Sequence, residues 1–249
     1  MEKNSFKEIT QYYDLLVDWK VRLEREEPFF RSLFGEKSVK ILDAACGTGR
    51  HAALFASMGH NVTGSDVSPE VLKVAKKNAG DLKISFYRED LTDLNTGFKG
   101  DSFDFVTAIG NTLAIINERE KIENVFRKVN YLLRPGGTFI FQIVNFTSQT
   151  VINDRFTPFR SVIDNKKEYI FQRFFDICDD KVVLNLLVFI KENDKWIRNI
   201  ESTQLMPWSI NDLKSVSERS GFSSVKFYGD YLKTPFDENS RDILGLAVK

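Results

Sequence analysis

The chain is poor in the side chains that staple or metallate proteins: its 249 residues include two cysteines, Cys46 and Cys178, and two histidines, His51 and His60. Neither cysteine stands in a ligand-like or redox spacing, which argues against a structural zinc site and fits a reducing cytoplasm. Charge excess is also missing. Thirty-five basic residues balance thirty-five acidic ones, so nothing in the overall balance draws the chain to nucleic acid or an anionic membrane. No window approaches the roughly 18 apolar residues of a membrane span, and the opening MEKNSFKEIT has no apolar core of signal-peptide type. Internal repeats and low-complexity linkers are absent too. The expected setting is the cytoplasm.

What is present is ordinary for a globular protein: 42% hydrophobic and 28% charged residues, with 22 phenylalanines expected mainly in the core. Residues 5–34 have helical spacing at Ile9, Tyr12, Tyr13, Leu16, Trp19 and Leu23, and Pro28 is expected to open a second short helix. From Val39 the rhythm becomes strand, turn, helix, repeated. Strands are expected at 39–46, 61–66, 84–89, 103–109 and 138–146. Helices between them include one opened by Ser68 as N-cap and Pro69, and one marked by Ile122, Val125, Phe126, Val129, Leu132 and Leu133. Short alternating connections imply a parallel, doubly wound α/β sheet that binds ligands beyond its strand carboxyl ends.

Residues 147–206 break this rhythm. Tyr169–Ile177, Lys181–Ile190 and Lys195–Met206 read as an antiparallel meander with turns at Asp179-Asp180 and Asn193-Asp194. A helix over 209–220 and strands over 223–231 and 242–248 then complete a seven-stranded, mostly parallel sheet. The expected organisation is a cofactor-binding domain of residues 1–146 and 207–249, with an N-terminal helical cap of about 1–38. The insert 147–206 would cover the substrate site.

The turn Gly47-Thr48-Gly49-Arg50-His51-Ala52 satisfies the G-x-G-x-x-G/A pattern of dinucleotide sites. Asp43, immediately upstream, argues against a diphosphate, which it would repel, and for a ligand bearing an ammonium or sulfonium. With DAACGTGR, VTGSD, REDL, FDFVTAIGN and LRPGG in this order, residues 39–146 resemble class I S-adenosylmethionine-dependent methyltransferases, whose fold is a Rossmann-like sheet.

That resemblance implies roles for individual residues. Asp43, Ala45, Gly47 and Gly49 would hold the methionine end of the cofactor. Asp66 would accept both ribose hydroxyls, with Val67 beside it in the binding set. Asp90 and Leu91 would meet the adenine edge, and Ile109 and Asn111 would lie under the sulfonium and its methyl group. Asp66 could alternatively cap the following helix, and Asp90 could be a turn residue.

A looser pattern, Tyr12-Tyr13-Asp14, Trp19 and Arg22 with IGNTLA and LRPGGTFIFQIVNF, is similar to glycine and sarcosine N-methyltransferases. It implies that Arg22 pairs with the cofactor carboxylate, though a solvated helix position is the alternative. Tyr12 and Trp19 would wall the cofactor, and Tyr13 and Asn111 would position the reacting groups. Family members clamp a substrate carboxylate with an insert arginine, but Arg155, Arg160 and Arg173 cannot be separated by alignment. Arg173 shares a strand face with Phe171 and Phe175 and is the choice for an anionic substrate group.

Methyl transfer to a neutral amine needs alignment and water exclusion more than acid–base machinery. The shortage of histidine agrees, with His60 expected in a surface turn. No Asp/Asn-Pro-Pro-Tyr/Phe or Pro-Cys motif points to nucleobase methylation. The expectation is a small-molecule N-methyltransferase using S-adenosylmethionine, monomeric or homodimeric, with no nucleic-acid, membrane or metal partner. An O-methyltransferase is the alternative within the class; outside it stand a nicotinamide oxidoreductase and a non-catalytic binding protein.

Overall fold

The computed structural model describes residues 12–93, 97–178 and 181–249. Ile9 and the Asp179-Asp180 turn lie outside them.

A single helical turn over 12–16 is followed by a break at 17–18 and then by α1 (Trp19–Phe34), whose N-cap Asp18 accepts a hydrogen bond from the Val21 N–H. Pro28 lies inside α1 instead of opening a new helix. An internal proline costs about 3 kcal/mol, but α1 buries Phe29, Phe30 and Phe34 against the sheet. Burial of each such side chain is worth about 1.5–3 kcal/mol, so tertiary packing overrides the local preference.

The sheet then builds from β1 (Lys40–Ala44), α2 (Arg50–Ser57), β2 (Asn61–Asp66), α3 (Pro69–Ala79), β3 (Ile84–Arg88) and β4 (Phe103–Ala108). A short 3-10 turn (Thr112–Ile115), α4 (Arg119–Leu132) and β5 (Leu133–Val144) follow. After the insert come α6 (Ile210–Arg219), β10 (Ser224–Tyr228) and β11 (Asp242–Val248). The seven strands lie in the order β10-β11-β5-β4-β1-β2-β3. β11 is antiparallel to both its neighbours, and the others pair in parallel.

Successive residues feed opposite faces. Ile41 and Ile140 join α1 and α2 in one core, while Leu42, Phe139 and Phe141 join α4 and α6 in the other. His60, expected in an exposed turn, is only 6% exposed and meets Phe34 edge-on at 5.3 Å. Its burial holds the imidazole below its usual pKa, with Arg31 adding to the effect. A contact across 26 positions is invisible to local pattern.

The segment between β5 and α6 opens with α5 (Gln149–Asn153) and β6 (Arg160–Asp164), both unexpected. It continues with β7 (Lys167–Cys178), β8 (Lys181–Glu192) and β9 (Lys195–Leu205). These form a separate antiparallel sheet in the order β6-β7-β8-β9. Asn193 and Asp194 both take positive φ in the β8–β9 turn, as a two-residue hairpin requires. Leu16 from the N-terminal turn packs on this sheet with Phe171, Leu186 and Val188. The Arg160 Nε donates to the Leu15 carbonyl at 2.9 Å.

Candidate active site

β1 ends in a loop whose backbone turns left-handed at Ala45 (φ 52°), Gly47 (φ 55°) and Gly49 (φ 74°). For alanine this conformation costs about 1–2 kcal/mol, a strain that clusters at ligand-binding turns. The two glycines serve different purposes. A Cβ on Gly49 would stand 2.9 Å from the Ala75 Cβ and 3.1 Å from its Cα, so Gly49 lets α2 and α3 approach. A Cβ on Gly47 would meet nothing within 4 Å, so Gly47 faces open space.

Behind the loop lies Asp43, 2% exposed. Its Oδ1 accepts from the Thr107 hydroxyl at 2.8 Å, while its Oδ2 is buried without a hydrogen-bond partner. Burial pushes the carboxyl up to about 6, against the opposing influence of His51 and the Thr107 bond. A buried carboxylate oxygen lacking a donor suits a ligand ammonium.

Asp66, at the end of β2, binds backbone on both sides. Its Oδ2 accepts from the Gly47 N–H and its Oδ1 from the Ser68 N–H, each at 3.0 Å. The cap of α3 is the Ser68 hydroxyl, which accepts from the Val71 N–H at 3.3 Å. The Asp66 carboxylate therefore ties the two loops together, and burial raises its pKa. Each carboxylate oxygen retains a second acceptor site. Val67 follows it with 56% of its surface exposed.

Beyond β3, the Asp90 Oδ1 closes a local turn by accepting from the Thr92 N–H and hydroxyl at 2.8 and 2.7 Å. Leu91 is half-buried against the core. Ile109 is 8% exposed at the end of β4. Asn111 turns its Oδ1 to the Val144 N–H at 2.9 Å, so that oxygen serves the backbone.

The N-terminal turn reaches this loop through Asp14. Its carboxylate accepts from the Thr48 hydroxyl (2.7 Å), Arg50 (2.7 Å) and Asn78 (2.8 Å). Burial alone would raise its pKa, but the Arg50, Thr48 and Asn78 bonds bring it below the usual range.

Deeper in, Glu26 is completely buried between Arg22 (2.9 Å) and His51 (2.7 Å). Burial opposes its charge, and the His51 and Arg22 bonds restore it, so its pKa is lowered. Arg22 also lies 5.3 Å from the Trp19 ring centroid, and its Nη2 stands 3.8 Å from where a Cβ on Gly110 would be. It is thus a partly buried, paired residue at the end of β4. Pattern reading missed this cluster: the Arg22-to-Glu26 spacing of four was a usable sign of that pair, but no local signal pointed to His51.

A cavity of about 480 Å³ opens beside Gly110 and Asn111. Tyr13, Arg22, Arg173 and Asp242 are among its lining residues. Arg173 lies largely buried with its Nε unpartnered, and burial lowers its pKa. Tyr12 is not brought to the loop: its ring packs 5.6 Å from Tyr169 of the insert sheet, because the helical turn directs it toward that apolar cluster.

Asp43, Ala45, Gly47, Gly49 and Asp66 therefore form one contiguous cradle. Its orphaned carboxylate oxygen and open glycine fit an S-adenosylmethionine ammonium and the close approach of its backbone.

Comparison with known proteins agrees. A family model described as a methyltransferase domain matches residues 41–137. A protein named as a candidate methyltransferase from Geobacillus sp. (strain WCH70) is 27% identical over 95% of this chain and 99% of its own length. A glycine/sarcosine N-methyltransferase from Parasynechococcus marenigrum (strain WH8102) is 28% identical over 58% of this chain and 52% of its own. Among solved structures, an S-adenosylmethionine-dependent methyltransferase from Clostridium acetobutylicum ATCC 824 has the same fold. Its TM-score is 0.73 at 21% identity, with 98% of this chain and 99% of that one covered. The chain thus carries a methyltransferase domain over residues 41–137 in the fold of S-adenosylmethionine-dependent methyltransferases.

Proposed function

We propose that the enzyme methylates nitrogen in a small amine that also carries an anionic group. S-adenosylmethionine, when bound, supplies a methyl group already activated on a sulfonium. The protein's task is then to orient the acceptor and exclude water. Asp43 and the Gly47 backbone would hold the methionine end, and Asp66 the ribose.

The observation that carries the acceptor reading is Arg173. A guanidinium buried without a counter-charge is costly, and its Nε has no partner within the protein. An acceptor carboxylate in the cavity would supply one in bidentate form. Tyr13, lining the same cavity, would help position the acceptor. The glycine/sarcosine N-methyltransferase relative supports nitrogen as the acceptor atom.

The test offers methyl-labelled cofactor with amines, amino acids and phenols in separate reactions. Label is expected in an amine bearing a carboxylate, with Arg173→Ala raising its KM by about tenfold or more, the scale of a charged hydrogen bond. Label in phenols but not in amines would overturn the proposal.

A further inference from the structure

The cavity has three carboxylates in its wall: Asp18, Glu26 and Asp242. Two are neutralised. Asp18 pairs with Arg160 at 3.3 Å, and Glu26 with Arg22 and His51. Among the described residues, Asp242 has no ion-pair partner. Its neighbour Arg241 turns instead to Asp154 at 2.7 Å.

Asp242 opens β11, diagonally across from Gln142 of β5. The Gln142 amide joins it to the end of β4. The Gly110 N–H can only donate, so it takes the Gln142 Oε1 at 3.0 Å, which turns the Gln142 Nε2 toward the Asp242 Oδ1 at 2.8 Å. The amide orientation is therefore fixed from both ends. One Asp242 oxygen is held and the carboxylate faces the cavity.

We infer that Asp242 receives the acceptor's ammonium group and takes a proton from it before methyl transfer. This rests on the amine reading above. The N–H bond breaks, an O–H bond forms on the carboxylate, and the electron pair stays on nitrogen, where the methyl group requires it. The proton then leaves to solvent with the product. Burial raises the Asp242 pKa, opposed by the Gln142 bond and by Arg241, Arg25 and Arg22, so the carboxyl is a better proton acceptor than an exposed aspartate. With Arg173 lining the same cavity, the two residues would recognise opposite charges on one zwitterion.

Calorimetry on enzyme saturated with S-adenosylhomocysteine tests this without turnover, with sarcosine as the amine probe and glycolate as its hydroxyl counterpart. Asp242→Asn should weaken sarcosine binding at least tenfold and leave glycolate and S-adenosylhomocysteine affinities unchanged. Asp242→Glu should recover most of the sarcosine affinity. Equal sarcosine binding by wild type and Asp242→Asn would overturn the role of Asp242 while leaving the amine reading intact. If wild-type enzyme does not bind sarcosine, the amine reading falls and takes this assignment with it. An Asp242→Asn protein that also loses S-adenosylhomocysteine would show a role in the fold instead, which likewise overturns the inference.

Discussion

The Gly47 N–H donates to the Asp66 Oδ2 at 3.0 Å, so the residue that ends β2 also shapes the loop that follows β1. Removing the carboxylate would take away the proposed ribose contact together with this loop support. Asp66→Ala is expected to weaken S-adenosylhomocysteine binding by roughly 1–3 kcal/mol, the scale of a charge-assisted hydrogen bond. Calorimetry with circular dichroism as the fold control measures it; unchanged affinity would remove Asp66 from the site.

The two loop glycines should fail in different ways. Gly47→Ala places its Cβ in open space, so the protein should fold with only the left-handed strain of about 1–2 kcal/mol and lose cofactor affinity. Gly49→Ala drives a Cβ against the Ala75 backbone and should chiefly lower the melting temperature. Thermal melts paired with cofactor titrations separate the two, and identical behaviour would contradict this division.

Asp43 gives opposite pH effects on stability and binding. Its folded pKa of about 6 lies above the unfolded value of 3.8, so between those values the folded state holds more protons. Stability from this group therefore falls as pH rises toward 6, leaving a penalty of roughly 3 kcal/mol above it. Cofactor binding, which favours the ionised carboxylate, should instead weaken as pH falls through about 6. The difference between wild type and Asp43→Asn in denaturant melts and S-adenosylhomocysteine titrations from pH 5 to 8 reads both. A flat difference would show that Asp43 does not titrate there.

Breaking the buried Arg22–Glu26–His51 cluster should be costly. Glu26→Ala leaves Arg22 without its carboxylate, and loss of one member of a buried pair costs about 3–5 kcal/mol. Equilibrium denaturation is the check, and a loss below about 1 kcal/mol would mean that solvent replaces the pair.

Much of this architecture was legible in the chain. β2 and β11 match the expected bounds residue for residue, because apolar runs between turn residues leave few alternatives. Ser68 and Pro69 open α3 as expected. The misreadings share a cause. Pro28 and His60 were judged by local preference, while their surroundings are set by phenylalanines distant in sequence or buried by the helix as a whole. β6 (RSVID) is a strand of five residues with none buried, too brief for its alternation to stand out in the sequence. At the site, the glycine turn and its flanking aspartates could be found from motif order. The Glu26–His51 and Gln142–Asp242 contacts could not, since they join residues 25 and 100 positions apart.

The turn at 12–16 touches the glycine loop through Asp14 and the insert sheet through Leu16. One small piece of backbone thus bridges the glycine loop and the insert sheet. If an occupant on one side shifts it and so changes the affinity of a second ligand on the other, the reverse effect must have the same factor, since equilibrium coupling runs equally in both directions.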